Sequence, residues 1–403
     1  MSTAEEIVRV AAKGDGVTAS GRHAPFAAPG DALLPDGTVE PGPHRAQPPC
    51  RHFALRQAQG CGGCQLQHLD EETLTRFARD RVLYAAEGQG LVAEHFAPVH
   101  LSPPNSRRRA TLRAVNGGGR PLIGFNEAGS HKVVDMRECH VLAGELFALV
   151  EPLRMLLAPR RDRYALEIAL ALTGQGVDCA IKGLELDGLE QTEALLDFCR
   201  GQALARMTLD QGYGAESFWE PDPVTVTLSG VAVDYPAGAF LQATPDGEAA
   251  LVAAAREWLG GSERVADLFA GLGTFAFALA GAARVVAAEA ARDAHLACRA
   301  AAGRAGLPVE AAHRDLFRNP LRAAELRGFD GVVLDPPRAG AREQVLQLAA
   351  SGVPRIAYIS CNPSSWARDG RVLADAGYRL AELRPVGQFR WSTHVELASL
   401  FVR

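Results

Sequence analysis

One junction restricts what this chain can fold into more than any other stretch. Arg264-Val265-Ala266-Asp267-Leu268 is a β-prone run, Phe269-Ala270-Gly271-Leu272-Gly273 a glycine-containing turn, and Thr274-Phe275 opens an Ala-rich helical stretch. Glycines at such a turn let the backbone approach a ligand at the helix N-terminus. From about residue 236 onward strand-like and helix-like stretches alternate in this way, which predicts a doubly wound parallel sheet over residues 236–403. The G-x-G is not followed by a third glycine, so the turn does not fit a dinucleotide fingerprint.

Acids close successive strands of this region. Glu289 ends Arg284-Val285-Val286-Ala287-Ala288, where it is placed to grip ribose hydroxyls; Asp315 follows the third strand, and Asp335 ends Gly331-Val332-Val333-Leu334. With Asp267, the acids Glu289 and Asp315 form a pattern that resembles class I S-adenosylmethionine methyltransferases, which implies a Rossmann-like α/β domain. Pro336 and Pro337 then hold a rigid loop at the crevice, and Asp335 is placed to accept bonds from a base or a cofactor amine. Amino-methylating enzymes carry an aromatic after such a D-P-P to stack the base. Arg338 stands there in this chain, which argues for carbon as the methyl acceptor.

The next β-prone run, Arg355-Ile356-Ala357-Tyr358-Ile359-Ser360, delivers Cys361 to its carboxyl end, and Asn362-Pro363 stops the strand. Carboxyl ends of strands face the ligand crevice in open α/β sheets. A lone cysteine is most often a small buried hydrophobe, and Cys179, Cys199 and Cys298 are read that way. Cys361 differs in its company: the glycine turn upstream, the Asp-Pro-Pro-Arg loop one strand earlier, and Glu396 in His394-Val395-Glu396. It is the candidate nucleophile, for which a depressed pKa is expected.

The first 235 residues read differently. Residues 7–40 look like short strands broken by turns, which suits a small β-barrel that binds RNA by shape, here reduced and short of basic residues. This module is assigned to residues 1–45, with the Pro-rich stretch Pro41–Pro49 as linker. Residues 46–235 form a central α+β domain, of which about 67–100 are candidates to pack on the catalytic part. Helical spacing is expected over 71–87 and in one helix over 145–157, and strand, hairpin and strand over Thr111–Val115, Leu122–Phe125 and His131–Val134 with a turn at Asn116-Gly117. Cys50, Cys61-Gly62-Gly63-Cys64 and Cys139 supply four thiols, soft ligands suited to an all-cysteine zinc site or a [4Fe–4S] cluster, and spacing does not decide between them. A thioredoxin-like redox pair is disfavoured, because no βαβ context surrounds it.

The net charge of −5 argues against nucleic acid only until its distribution is examined. Residues 101–163 hold ten Arg and one Lys against six acids, so the positive charge is concentrated in the central domain. Arg107, Arg108 and Arg109 enter an expected antiparallel sheet, where they are candidates to position a phosphate backbone.

Taken together, Phe240-Leu241-Gln242, Asp267-Leu268-Phe269-x-Gly271-x-Gly273, Asp335-Pro336-Pro337-Arg338, Ser360-Cys361-Asn362-Pro363 and Thr393-His394-Val395-Glu396 resemble the RNA uracil-5 methyltransferase family. The likeness of Cys50, Cys61, Cys64 and Cys139 to the [4Fe–4S] ligands of its ribosomal-RNA branch extends the match over nearly the whole chain, and the N-terminal strands resemble its TRAM domain. The resemblance implies S-adenosyl-L-methionine-dependent methylation of uracil C5 in 23S ribosomal RNA. Cys361 is then the nucleophile and Glu396 the base, Gln242, Phe269, Gly271, Gly273, Thr274, Glu289, Asp315 and Asp335 line the cofactor site, and Phe240 contacts substrate. Thr274 and Asp315 stand where members often have Asn, Ala243-Thr244 replaces a common Val-Asn, and the ten-residue gap from Cys50 to Cys61 exceeds the usual five. The alternatives are a transfer-RNA uracil-5 methyltransferase, a small-molecule methyltransferase, and a non-catalytic iron–sulfur RNA-binding protein. No 18-residue apolar run and no secretory n- and h-region are present, so a cytoplasmic, membrane-free protein is expected, and as a monomer, since no obligate protein partner is evident.

Overall fold

The computed structural model describes residues 4–53, 60–116 and 119–403. Its largest element is a nine-stranded sheet. Five parallel strands run in the order Val309–His313, Arg284–Glu289, Arg264–Leu268, Gly331–Leu334, Arg355–Ser360. Glu396–Val402 then pairs antiparallel with Arg355–Ser360, and Arg379–Gly387 antiparallel with Glu396–Val402. The chain steps outward from Arg264–Leu268 and then returns to its other side with Gly331–Leu334. At that reversal the following connections leave in opposite directions, and a crevice opens at the carboxyl ends. This is the Rossmann-like methyltransferase arrangement expected from the alternation after residue 236.

Sequence explains the packing of this sheet. Its central strands are apolar along their whole length, as a layer covered on both faces requires, and Val332, Val333, Leu334, Ile356, Ala357 and Tyr358 have no exposed surface. Trp366 and Phe401 fill one face. The helix Glu71–Glu87, expected over the same residues, joins them: Asp70 caps it by accepting from Thr73 N at 2.8 Å, and Leu74, Phe77, Ala78 and Val82 turn inward on the helical period. Beyond it His95–Phe96 and His100–Leu101 pair with Arg379–Gly387, so the segment from 71 to 101 packs on the catalytic sheet. The hairpin Thr225–Leu228 and Val231–Asp234 shares a core with Leu251, Trp258 and Ala301.

The central sheet has six strands in the order Ala215–Trp219, Arg206–Asp210, Gly176–Lys182, Ala165–Thr173, Arg109–Asn116, Pro121–Gly124. Two expectations fail here. The single helix over 145–157 is two, Gly144–Ala148 and Val150–Leu157, because Pro152 has no N–H to give the carbonyl four residues back. The strand expected over His131–Val134 is reduced to a bridge from Val133 to Asn126. Gly117 of the expected turn lies outside the described residues. At the N-terminus five short strands between Glu5 and Glu40 form a separate antiparallel sheet around Ile7, Ala24, Ala27 and Leu33. The following linker is pinned back on it, since Gly42 N donates to the buried Asp31 at 2.7 Å and Arg45 forms an ion pair with the same carboxylate.

Candidate active site

The carboxyl ends of the parallel strands open into a cavity of about 660 Å³. That is ample for a nucleoside-sized ligand. Its wall carries Phe240, Gln242, Phe269, Gly271, Thr274, Glu289, Asp335, Arg338, Cys361 and Glu396. Gly273 and Asp315, also expected to line the cofactor site, are not among its lining residues.

The glycine turn shows why those residue types stand there. Phe269, Gly271 and Gly273 all have left-handed φ, of 63°, 55° and 96°. At Gly273 a Cβ would come within 2.9 Å of Cys298 Sγ and 2.7 Å of Phe277, so only glycine lets the turn sit this close to the helix after Glu289. Glu289 braces the turn by accepting from Gly271 N at 2.9 Å. Phe269 is strained for a non-glycine residue, and its ring meets Phe317 with centroids 5.2 Å apart. Asp315 spends its carboxylate on Phe317 N (3.0 Å) and Arg318 N (3.2 Å), shaping the turn that presents Phe317 to the cavity. Phe317 was not among the expected residues; a large aromatic 48% exposed beside a strand end is the signal that marks it.

Cys361 sits between the strand Arg355–Ser360 and the helix Pro363–Asp375, which Asn362 caps by accepting from Ser364 N at 3.2 Å. Across the cavity, Glu396 begins the antiparallel strand Glu396–Val402 and is 3% exposed. Gln388, also buried, donates to Glu396 Oε2 and to Gln242 Oε1 (2.9 Å), while Gln242 Nε2 donates to Asp335 Oδ2 at 3.2 Å. One chain of amides thus connects the two carboxylates that flank Cys361.

Electrostatically the cavity is acidic. Burial pushes Glu396 up to about 7, opposed by the Gln388 N–H and the Arg109 charge. Burial and the charge of Glu396 hold Asp335 well above the usual carboxylate range. Asp267 is raised to about 8 by burial and by Asp335, and the Ala276 backbone N–H only partly opposes them. The expected depression of the Cys361 pKa is reversed. Burial, then Glu396 and Asp335, push the thiol up to about 11, and Arg338 only partly opposes them. Without a cationic ligand this is a site of weak acids kept protonated.

The three arginines separate. Arg108 forms an ion pair with Glu248 in which both side chains are nearly buried, and its Nε donates to Gln242 O at 3.0 Å. Arg109 lies 4.5 Å over the ring of Phe240, which is 57% exposed in the cavity. Arg107 stacks over Phe389 at 5.6 Å. Arg108 therefore holds the fold together, Arg107 lines the cysteine cavity, and Arg109 reaches the active-site cavity only through its contact with Phe240.

A second cavity is lined by Cys50, Cys61, Cys64 and Cys139 together with Phe53, Phe125, Met136 and Val141. All four thiols are free. Among the described residues no three such side chains form a group that could hold one metal ion. The glycines serve close approach: a Cβ on Gly62 would meet Asn126 O at 2.9 Å, and Gly62 N donates to that oxygen.

The fold and the cavity define a nucleoside-cofactor-binding transferase of the Rossmann-like methyltransferase class. A family model described as tRNA (Uracil-5-)-methyltransferase matches residues 311–403. An uncharacterized RNA methyltransferase of Zymomonas mobilis is 47% identical over 99% of this chain and 100% of its own length. The 23S rRNA (uracil(1939)-C(5))-methyltransferase RlmD of Pectobacterium atrosepticum is 32% identical, covering 90% of this chain and 82% of its own. In fold, a tRNA (uracil-54, C5)-methyltransferase of Pyrococcus abyssi, solved with S-adenosyl-L-homocysteine, superposes with a TM-score of 0.76 at 22% identity over 99% of both chains. The chain belongs to the RNA uracil-5 methyltransferase family.

Proposed function

We propose that this protein methylates C5 of a uridine in 23S ribosomal RNA, with Cys361 as nucleophile and Glu396 as proton acceptor. The observation that carries the reading is that Cys361, Glu396, Asp335 and the glycine turn all face one cavity. S-adenosylmethionine supplies the methyl group and a positive charge there. Phe269 and Phe317 offer apolar faces to its purine, and Glu289 faces the same wall. The positive charge offsets the acids that raise Cys361, so the thiolate forms when the site is filled.

Uracil C5 is a poor nucleophile. Addition of the Cys361 thiolate at C6 converts C5 into an enolate-like carbon able to take the methyl group. The C5–H bond must then break. Its proton passes to Glu396, its electron pair restores the C5–C6 double bond, and the C6–S bond releases Cys361 as thiolate. Glu396 near neutrality is poised for that transfer. The target base reaches such a cavity only when splayed from its stack, which single-stranded loops make less costly. Phe240 under Arg109 gives it a face to rest on.

A [4Fe–4S] cluster on the four cysteines belongs to the same proposal: its support is that all four thiols line one cavity with apolar walls, and thiolates are the ligands such clusters take. The N-terminal strands are assigned as a reduced TRAM-like module, with the central domain over 46–235 carrying the cluster and the RNA face. A transfer-RNA target is the competing reading, favoured by the whole-chain fold likeness to the Pyrococcus enzyme. Labelled methyl transfer to 23S and transfer-RNA transcripts decides between them. 5-Methyluridine in ribosomal RNA alone is expected; label in transfer RNA alone overturns the target, and label in neither overturns the activity.

A further inference from the structure

Gln388 follows the last residue of the strand Arg379–Gly387, in which Val386 lies opposite Glu396. It is 1% exposed and commits every polar atom. Its Oε1 accepts from Ala243 N at 2.9 Å and Thr244 N at 3.3 Å. Two backbone N–H groups can face only an oxygen, so the orientation of this amide is forced and Nε2 must donate. One N–H goes to Glu396 Oε2, the other to Gln242 Oε1 at 2.9 Å. That fixes the second amide in turn: with its oxygen taken, Gln242 presents Nε2 to Asp335 Oδ2 at 3.2 Å.

A separate observation shows the fold making room for this side chain. Gly247 lies in the first turn of the helix Pro245–Leu259, where glycine is less favourable than alanine. A Cβ there would come within 2.7 Å of Gln388 Cβ and 3.0 Å of its Oε1. The helix surrenders a side chain so that Gln388 can reach across it.

We propose that Gln388 is a positioning residue that holds Glu396 ready to accept the C5 proton and locks it to the Gln242–Asp335 pair. Gln388 is not among the residues lining the cavity; it acts through Glu396. A buried carboxylate left without its donor favours the protonated form, which cannot accept a proton at neutral pH. The inference rests on the uracil-5 reading and deepens it.

The test compares Gln388→Met, which keeps volume but not the donor, with wild type and with Glu396→Gln, in single-turnover methylation of an RNA transcript from pH 6 to pH 9.5. In Gln388→Met the rising limb of the pH profile is expected to move up by about one unit, a roughly tenfold loss at pH 6.5. Wild-type rates return at the alkaline end, the KM for RNA is unchanged, and RNA–protein adduct accumulates at low pH. Glu396→Gln is expected to accumulate adduct at every pH. A Gln388→Met profile that overlays wild type, or one depressed equally at all pH without adduct, overturns the positioning role. Absence of adduct in Glu396→Gln overturns instead the assignment of the base, whatever Gln388→Met does.

Discussion

Asn362 donates its side-chain amide to the carbonyl of Arg338 at 2.9 Å, tying the loop after the strand Arg355–Ser360 to the loop after its neighbour Gly331–Leu334. Ser365 Oγ donates to the same carbonyl at 3.0 Å. Below them Asp369 accepts from Tyr358 OH at 2.6 Å and Ala341 N at 2.7 Å, so the Asp-Pro-Pro-Arg loop is fastened at both ends. Cys361 and the Arg338 guanidinium that lowers its pKa are thereby held by one set of hydrogen bonds.

Asn362→Ala breaks that tie and removes a helix cap. Loss of the cap costs about 1 kcal/mol, and release of the Arg338 loop lets the guanidinium drift from the sulfur. Denaturant unfolding is expected to show the modest stability loss. Single-turnover adduct formation should slow by more than tenfold, beyond anything the unfolded fraction explains.

Protonation of the cavity acids stabilises the ligand-free protein. Asp267, Asp335 and Glu396 bind protons more tightly in the folded than in the unfolded chain, being raised to about 8, well above the usual range, and to about 7. Their contribution to stability is therefore fully present below the ordinary carboxylate range and is lost as pH rises from about 4 to about 8. Acids lowered in the fold, such as Glu325, lose theirs only in stronger acid, so the window from pH 6 to pH 9 reports the cavity acids. Thermal unfolding should show a Tm several degrees higher at pH 6 than at pH 9. S-adenosylmethionine, a cation, should raise Tm more at pH 8.5 than at pH 6, and more than S-adenosylhomocysteine does. A flat Tm across this range would remove the buried acids as the cause.

The Cys361 thiol, pushed up to about 11, should be a sluggish nucleophile in the free enzyme. Alkylation by iodoacetamide, mapped by mass spectrometry, is expected to be about a hundredfold slower at pH 7 than for an unperturbed cysteine. The rate should climb roughly tenfold per pH unit up to pH 9. Arg338→Ala removes the opposing charge and should slow it further.

Much of this architecture is legible in the sequence because it is local. The strand ends at Asp267, Glu289, Asp335 and Cys361 are runs of apolar residues closed by a polar one, and a parallel sheet puts all such ends on one edge. What is not legible depends on partners far away in the chain. Gln388 is an ordinary glutamine after a strand until Ala243, Gln242 and Glu396 surround it. Asp315 follows the acid pattern, yet its side chain turns back on its own loop and leaves Phe317 at the wall. Three consecutive arginines read as one cationic patch, but only Arg109 lies in the strand, and Arg108 before it meets Glu248 from a distant helix. The acidity of Cys361 is set by burial first and then by Glu396 and Asp335 from elsewhere in the chain, which no local motif reports.

Arg108→Ala should accordingly act on stability and not on RNA affinity. It leaves Glu248 buried without a partner, a change that typically costs about 3–5 kcal/mol. Denaturant unfolding should report a loss of that order. The dependence of RNA binding on salt should keep its wild-type slope, whereas removal of a phosphate contact lowers that slope by about 1. A shallower slope in Arg108→Ala would return it to the RNA face.

The cysteine cavity and the loop leading to Glu396 are joined by hydrogen bonds. Gln65 N and Leu66 N, directly after Cys64, donate to Trp391 O at 2.7 and 2.9 Å, and Gln65 Oε1 accepts from Thr393 N at 3.4 Å. Trp391 has a left-handed φ of 59°, a strained state for a tryptophan that persists only where its surroundings impose it. The loop so held runs from Gln388 to Glu396. Loosening the Cys61–Cys64 turn should therefore loosen the base. Cys64→Ser is expected to lose the brown absorbance of an iron–sulfur protein and to unfold at lower temperature. Its near-UV circular dichroism should change as Trp391 leaves its fixed setting, and on the proposed iron–sulfur reading a chelator should reproduce that change in the wild type. Retained visible absorbance would take Cys64 out of the ligand set. Lost absorbance with an unchanged near-UV spectrum would separate the cluster from the loop that carries Glu396.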